Sequence, residues 1–411
     1  MKKIGILFII LMTFTTACGT TENNTGEDKN TQQNAEKADY MKLISANNNL
    51  GFQMIHNLTA KEQDNVFISP TSLMIALSML YNGADGDTKE EIANLLTEKQ
   101  MQIEELNKAN ASLMNLLTKA SEEIELNIAN SIWLNKDFHF TEAFAEQIES
   151  YYQAELEEID VLDAKTPDLI NDWVANATND KISEIIDGPL DQDTVAYLIN
   201  TIYFNGAWTD SFDEALTTEH PFYGDEDQEV ELPFMTMTKE FPYLENDLFQ
   251  AIKIPYGDGE MNMNIFLPKE EVGLDTFSEQ LTIENWETWD TEFESKEGTL
   301  FLPKFTLEYE ITLNDLLQEL GITTAFDPNQ ANFSNMVQED KELWLSQVKQ
   351  KTFIDIHEKG TEAAGATSAE IKTTSMPIDG PFYMEVNRPF YLMITDDTNA
   401  ILFMGAIYQP E

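Results

Sequence analysis

The chain has 411 residues, 42% of them hydrophobic and 10% aromatic, and its 74 acidic residues outnumber 24 basic ones to give a formal charge of −50. That length can bury a sizeable core, and the shortage of clustered Lys and Arg excludes nucleic acid as a partner. The acidity itself reads as a solvated surface, with attraction of a basic partner as the lesser reading.

The chain opens with "MKKIGILFIILMTFTTAC". Two lysines precede an apolar run from Ile4 to Phe14, and small residues lead to Cys18. So short a run cannot span a bilayer core as a helix, which needs about 20 residues, and the pattern is that of a secretory signal. Cys18 is the sole cysteine, and its setting resembles the lipobox of bacterial lipoproteins, although Thr15 stands where Leu is usual. The expectation is a signal peptide over 1–17, a lipid on Cys18, and an extracytoplasmic protein anchored to a bacterial membrane. No disulfide can then form. Residues 18–38 lack large apolar side chains and read as a flexible tether, spanning roughly 25 Å root-mean-square.

No second linker or repeat interrupts 39–411, which reads as one α+β domain. "NVFISPTSLMIALSMLYNGADGDTKEEIANLL" (65–96) offers Ser69 as an N-cap with Pro70 at the first helical position. Its helix is apolar nearly all round and should be buried, with Ser72 and Ser78 inside it. Thr88 and Glu91 have the spacing of a capping box for the next helix, and EF-hand spacing is absent. "LNIANSIWLN" (126–135) and "AYLINTIYFNGAW" (196–208) read as buried strands. An amphipathic helix is expected over 166–186, with Leu169, Ile170 and Trp173 on one side. Hairpins are expected over 249–269, with a Gly-Asp-Gly turn, and over 390–408.

Chemistry-bearing motifs are scarce. The histidines, His56, His139, His220 and His357, lack metal-ligand spacing, and no HExxH, CxxC, phosphate loop or G-x-S-x-G elbow occurs. Carboxylates are too abundant for any pair to be singled out. The sequence points to neither an enzyme nor a cofactor.

One stretch is unusual. In "EKGTEAAGATSAEIKTTSMP" (358–377), every second side chain from Thr361 to Thr373 is uncharged, while Glu362, Glu370 and Lys372 fall on the other face. The period is that of a half-buried strand, yet Gly and Ala are poor strand formers.

This stretch and five others, "NVFISPTSLMIALSMLYNGA", "INDWVANATNDKI", "INTIYFNGAW", "LPKFTLEYEITLNDLLQELGITTAFD" and "NRPFYLMITDDTNAILFMGAI", resemble the serpins, in family order and at family spacing. The likeness runs from about residue 40 to the end. It implies three β-sheets with eight or nine helices and an exposed reactive-centre loop, here about 358–381. It also implies irreversible inhibition of serine proteases: the cleaved loop inserts into the main sheet and traps the acyl-enzyme. The hinge would comprise Glu358, Gly360, Thr361, Glu362, Ala363, Ala364, Gly365, Ala366 and Thr367. Family spacing from Gly360 puts the reactive bond at Thr374–Ser375, which suits elastase- or subtilisin-like proteases. Lys372–Thr373 is the alternative bond, suited to a trypsin-like enzyme.

Ser69, Ser72 and Asn200 match the family's shutter, Trp208 its breach, and Gln350 the place where many members carry a shutter histidine. Arg388-Pro389-Phe390 would mark the return into the body. The resemblance implies a monomer whose partner is an extracellular serine protease, with cysteine proteases left open as a second class. A non-inhibitory binding serpin is the nearest alternative, and a solute-binding lipoprotein a more distant one.

Overall fold

Two long runs of β-branched and aromatic residues decide where the main sheet forms. They become β2 (Ile124–Asn135) and β4 (Ala196–Ala207), paired antiparallel from Ile124↔Gly206 to Leu134↔Ala196. The computed structural model describes residues 37–60, 64–97, 101–117, 123–224, 229–361 and 380–410. Among these, β3 (Glu155–Ile159) flanks β2, and β10 (Phe305–Thr312) pairs with β11 (Gln347–His357). With β12 (Gly360–Thr361), the order is β10-β11-β12-β4-β2-β3.

Among the described residues the second sheet has nine strands in the order β1-β15-β14-β8-β7-β6-β9-β13, with β5 off β6. Its members are β1 (Val66–Ile68), β5 (Thr218–Tyr223), β6 (Glu229–Glu245), β7 (Phe249–Tyr256), β8 (Met261–Pro268), β9 (Glu294–Pro303), β13 (Phe382–Glu385), β14 (Phe390–Asp396) and β15 (Ile401–Ile407). The long strand β6 carries ladders with β5, β7 and β9, so what the resemblance counts as a second and a third sheet is one continuous ladder. Both expected hairpins form, as β7–β8 and β14–β15.

The helices are α1 (Ile44–Thr59), α2 (Pro70–Gly83), α3 (Gly86–Leu96), α4 (Ile103–Leu117), α5 (Glu142–Tyr152), α6 (Thr166–Ala177), α7 (Gly273–Ser278), α8 (Ile283–Glu292) and α9 (Asn314–Glu319). Helix α2 runs behind the main sheet with nearly every residue buried, as its all-round apolar sequence requires. Ser69 caps it, its hydroxyl accepting from the Ser72 N–H at 3.1 Å. The main core lies between the sheets and around α2, and a smaller cluster under α6 joins Trp133, Ile170, Val174, Tyr197 and Ile199.

Two local expectations are corrected. Thr88 and Glu91 do not form a capping box, because α3 begins at Gly86 and its N-cap is Asp85. The Thr88 hydroxyl instead accepts from the Asn332 N–H at 3.1 Å, and the Glu91 carboxylate accepts from the N–H groups of Thr323 and Thr324. The helix expected over 166–186 stops at Ala177. Asn179 and Asp180 take positive φ, and the Thr178 hydroxyl accepts from the Ile182 N–H, turning the chain back over the sheet. Its buried side is Ile170 and Val174, while Leu169 is 51% exposed.

Candidate functional site

Strands β4 and β11 are parallel neighbours in a sheet whose other long pairings beside them are antiparallel. Their seam runs through seven register pairs, from Gln347↔Tyr197 to Phe353↔Tyr203. Above Phe353 the strands part, and Gly360 and Thr361 enter between them. This short strand β12 pairs antiparallel with β4 (Gly360↔Ala207, Thr361↔Gly206) and with β11 (His357↔Gly360, Ile356↔Thr361). Gly360 and Thr361, the third and fourth residues of the unusual stretch, are thus already sheet.

The entrance is held tightly. Gly360 has φ 155°, and a Cβ there would lie 2.2 Å from the Gly206 carbonyl oxygen, so only glycine fits. The Trp208 indole donates to the His357 carbonyl at 2.9 Å, and its backbone N–H to Lys359 O at 3.0 Å. Its ring stacks on Tyr256, with centroids 4.4 Å apart. Tyr256 is fully buried and its hydroxyl lies 2.7 Å from the Thr361 hydroxyl. Because Tyr256 belongs to β7, in the other sheet, the Thr361 side chain points inward.

Glu358 anchors the turn before β12. Its carboxylate accepts from Lys304 Nζ at 2.9 Å and from the Thr217 hydroxyl at 2.9 Å. Burial alone would raise its pKa, but the Lys304 bond, its own backbone N–H and the Thr217 hydroxyl hold it below the usual glutamate value.

The lower seam is closed by a polar network, built from buried groups that satisfy one another. Gln350 and Asn200 are a register pair, and Gln350 Nε2 donates to Asn200 Oδ1 at 2.7 Å. The same amide donates to Ser69 O at 2.9 Å, while Gln350 Oε1 accepts from the Ser69 N–H at 3.0 Å. Asn200 Nδ2 donates to Ser72 O, to the Ser72 hydroxyl and to Asn130 Oδ1. The Ser69 hydroxyl donates to Leu402 O at 2.6 Å. A glutamine therefore joins β11, β4 and the cap of α2 without carrying charge.

The structure thus brings Ser69, Ser72, Asn200 and Gln350 into one cluster, and Glu358, Gly360, Thr361 and Trp208 into another above it. Arg388 sits where the chain re-enters the body, its Nε donating to Pro268 O at 2.9 Å. Cys18, the hinge residues Glu362, Ala363, Ala364, Gly365, Ala366 and Thr367, and both expected reactive bonds lie outside the described residues. Sequence reasoning missed Tyr256, Lys304, Thr217 and Asn130. Tyr256 carried a signal of a kind, being the aromatic residue just before the Gly-Asp-Gly turn; the others carried none.

Comparison with known proteins agrees with this geometry. The family profile described as Serpin (serine protease inhibitor) matches residues 45–410. A serpin-like protein of Methanosarcina mazei is 32% identical over 436 residues, covering 100% of this chain and 99% of its own. Serpin B6 of Pongo abelii is 34% identical over 377 residues, covering 90% of this chain and 99% of its own. Among solved structures, tengpin, a thermophilic serpin in its native state, superposes with TM-score 0.82 at 31% identity, covering 90% of this chain and 94% of that one. Human thyroxine-binding globulin, complexed with thyroxine, gives 0.83 at 26%, covering 90% and 99%.

Fold and seam define an α+β protein with large mixed sheets, built to hold a strand-like segment at the mouth of a sheet. The chain belongs to the serpin family, whose members are in general protease inhibitors and not enzymes.

Proposed function

We propose that this serpin is an irreversible suicide-substrate inhibitor of extracellular serine proteases, preferring elastase- and subtilisin-like enzymes. The observation that carries this reading is the parity of β12. Thr361 points inward, and successive side chains of a strand alternate faces. A strand continuing from Thr361 down the seam would turn Ala363, Gly365, Thr367, Ala369, Ile371 and Thr373 inward, which is the uncharged set. Glu362, Glu370 and Lys372 would face out, so no charge is buried without a partner.

The energetics favour such a move. Insertion breaks one parallel ladder of seven register pairs. A central strand a dozen residues long bonds on two sides and gains more ladder than is lost. A surplus of about ten bonds at ~1 kcal/mol each contributes on the order of 10 kcal/mol, comparable to a domain's whole stability. Cleavage frees the loop to take this path, and the acylated protease travels with it.

The test is to mix the full chain with pancreatic elastase, subtilisin and trypsin separately and examine the products on denaturing gels. A complex surviving SDS, with a released fragment starting at Ser375, supports the trap and the Thr374–Ser375 bond. A fragment starting at Thr373 selects the alternative bond. Clean cleavage with no complex and active protease overturns inhibition and favours a binding serpin, the role named by thyroxine-binding globulin, whose fold this chain shares.

The same proposal includes the N-terminus: residues 1–17 act as a lipoprotein signal, and a lipid on Cys18 anchors a monomeric body to the outer face of a bacterial membrane through residues 19–38. Its support is the sequence "MKKIGILFIILMTFTTAC". Labelled fatty acid that enters the wild-type chain and not Cys18→Ser would bear this out.

A further inference from the structure

At the foot of the seam lies a cavity of about 400 Å³. Asp191, Asp193 and Tyr197 line it from the entry to β4, Phe326 from the single helical turn Thr324–Phe326, and Trp344 and Ser346 from the entry to β11. Gln347↔Tyr197 is the first register pair of β4 and β11, so the cavity sits where the two strands meet. It lies between the two apolar clusters: Phe326 and Trp344 pack on the edge of the main core, and Tyr197 belongs to the smaller cluster under α6. We infer that this cavity binds a small quaternary ammonium ion, held by the rings of Tyr197, Phe326 and Trp344 and by the carboxylates of Asp191 and Asp193.

The amides and hydroxyls around the cavity are engaged in its frame. Asn314 Nδ2 donates to Ser346 O at 2.8 Å, and Asn314 Oδ1 accepts from the Val348 N–H at 2.9 Å. The Ser346 hydroxyl accepts from the Val195 N–H at 2.8 Å, and the Leu345 N–H donates to Ala325 O at 2.9 Å. Asp191 Oδ1 accepts from the Asp193 N–H at 3.1 Å. These bonds join α9, the helical turn and the entries to both strands into one preformed wall. What the lining leaves for a ligand is ring surface and carboxylate charge.

That charge is uncompensated. No Lys or Arg lines the cavity, and neither aspartate forms an ion pair among the described residues. Lys349, two positions along β11 from Gln347, is held instead by Glu310 at 2.7 Å and by Ile185 O at 2.8 Å. Burial first, and then the Asp191 charge, push the pKa of the Tyr197 hydroxyl up, which sets that carboxylate beside the ring. A quaternary ammonium fits such a lining. Its diffuse positive surface is attracted to aromatic faces, and it brings no donors that need partners. A primary ammonium brings three, and an anionic group would meet the carboxylates. The volume is that of a small-ligand site, for which roughly 300–1,000 Å³ is usual. A cation seated here touches β4 through Tyr197 and the entry to β11 through Trp344, and so ties the foot of the seam together.

The experiment titrates the full chain by calorimetry with choline chloride and, separately, with 3,3-dimethylbutan-1-ol, which has the same shape with carbon in place of the charged nitrogen. The Asp191→Asn/Asp193→Asn and Trp344→Leu variants are titrated alongside. Both aspartates are exposed, and asparagine keeps the acceptor for the Asp193 N–H, so the double variant should melt as the wild type does. The expected result is saturable binding of choline, about tenfold weaker for the neutral alcohol, for the double variant and for Trp344→Leu. At about a hundred times its dissociation constant, choline should raise the melting point by about 3 °C over an equal concentration of sodium chloride, and by about half as much in the double variant. Equal affinity for choline and the alcohol, no effect beyond the sodium control, or unchanged affinity in the double variant would overturn the site.

Discussion

Gln350 makes the seam's closure measurable. Its side-chain amide serves Ser69 N–H, Ser69 O and Asn200 Oδ1, all buried. Gln350→Ala leaves three dry polar groups, each costing about 1–3 kcal/mol when unpaired. Allowing for partial re-pairing, the native form should lose about 3–5 kcal/mol. A folded body of roughly 370 residues has a melting entropy near 0.8 kcal/mol/K, so the native transition should drop by about 4–6 °C. On the insertion reading proposed above, the inserted form would lose less, because the continued register would set Thr367 opposite both Asn200 and Gln350, where its hydroxyl would serve them. The variant's barrier to spontaneous insertion therefore falls, and each 1.4 kcal/mol speeds that conversion about tenfold. Differential scanning fluorimetry gives the first number; timed loss of inhibition at 37 °C, with a new species of higher melting temperature, gives the second. A native melting point within 1 °C or so of wild type, with unchanged shelf life, would refute the view that Gln350 holds β11 to β4.

Other outcomes follow from the entrance. Thr361→Arg buries a cation against the Tyr256 hydroxyl and, on the inhibitory reading proposed above, should replace the SDS-stable complex by plain cleavage, with the native fold's circular dichroism retained. Gly360→Ala forces a Cβ onto the Gly206 carbonyl, and should lower the native melting point and expose the hinge to limited proteolysis. Glu358→Gln should destabilise the native form at pH 7, where the wild-type carboxylate is ionised and paired. Because its folded pKa is depressed, that advantage is full above the ordinary glutamate value near 4.5 and fades as pH falls through the lower folded value. The two melting points should therefore converge as pH falls through the depressed folded value, and a gap independent of pH would count against the ion pair. Thr88→Ala removes the acceptor of the Asn332 N–H and should cost about 1–3 kcal/mol in chemical denaturation.

Much of this was legible in the sequence because it is local or periodic. The runs 126–135 and 196–208 carry β-branched and aromatic residues on both faces, and both became interior strands. Ser69 followed by Pro70 announced a helix start that the structure reproduces. The uncharged alternation from Thr361 identified a face, and the inward hydroxyl of Thr361 gives that face its direction. Failures fall where partners are remote. Thr88 and Glu91 satisfied a local capping rule, yet their true partners, Thr323, Thr324 and Asn332, are more than 200 residues away, and tertiary bonds displaced the local one. The end of α6 was missed because Asn179 and Asp180 tolerate positive φ without any Gly or Pro to signal a stop. Nothing in β4 or β11 marks them as parallel neighbours, since strand partners are set by connections that run through the whole chain.

The seam also has a bearing on how this protein must be handled in bulk. On the insertion reading proposed above, the seam would recognise backbone and parity, not ownership, so a segment from a second molecule would satisfy it as well as its own. The molecule's own loop would have the advantage of attachment, a local concentration in the millimolar range. Warming that parts β4 from β11 in a concentrated sample would erode that advantage, because neighbours would then supply competing strands. Each molecule lending its loop would keep an open seam of its own, so the exchange would not close on itself and would grow into chains.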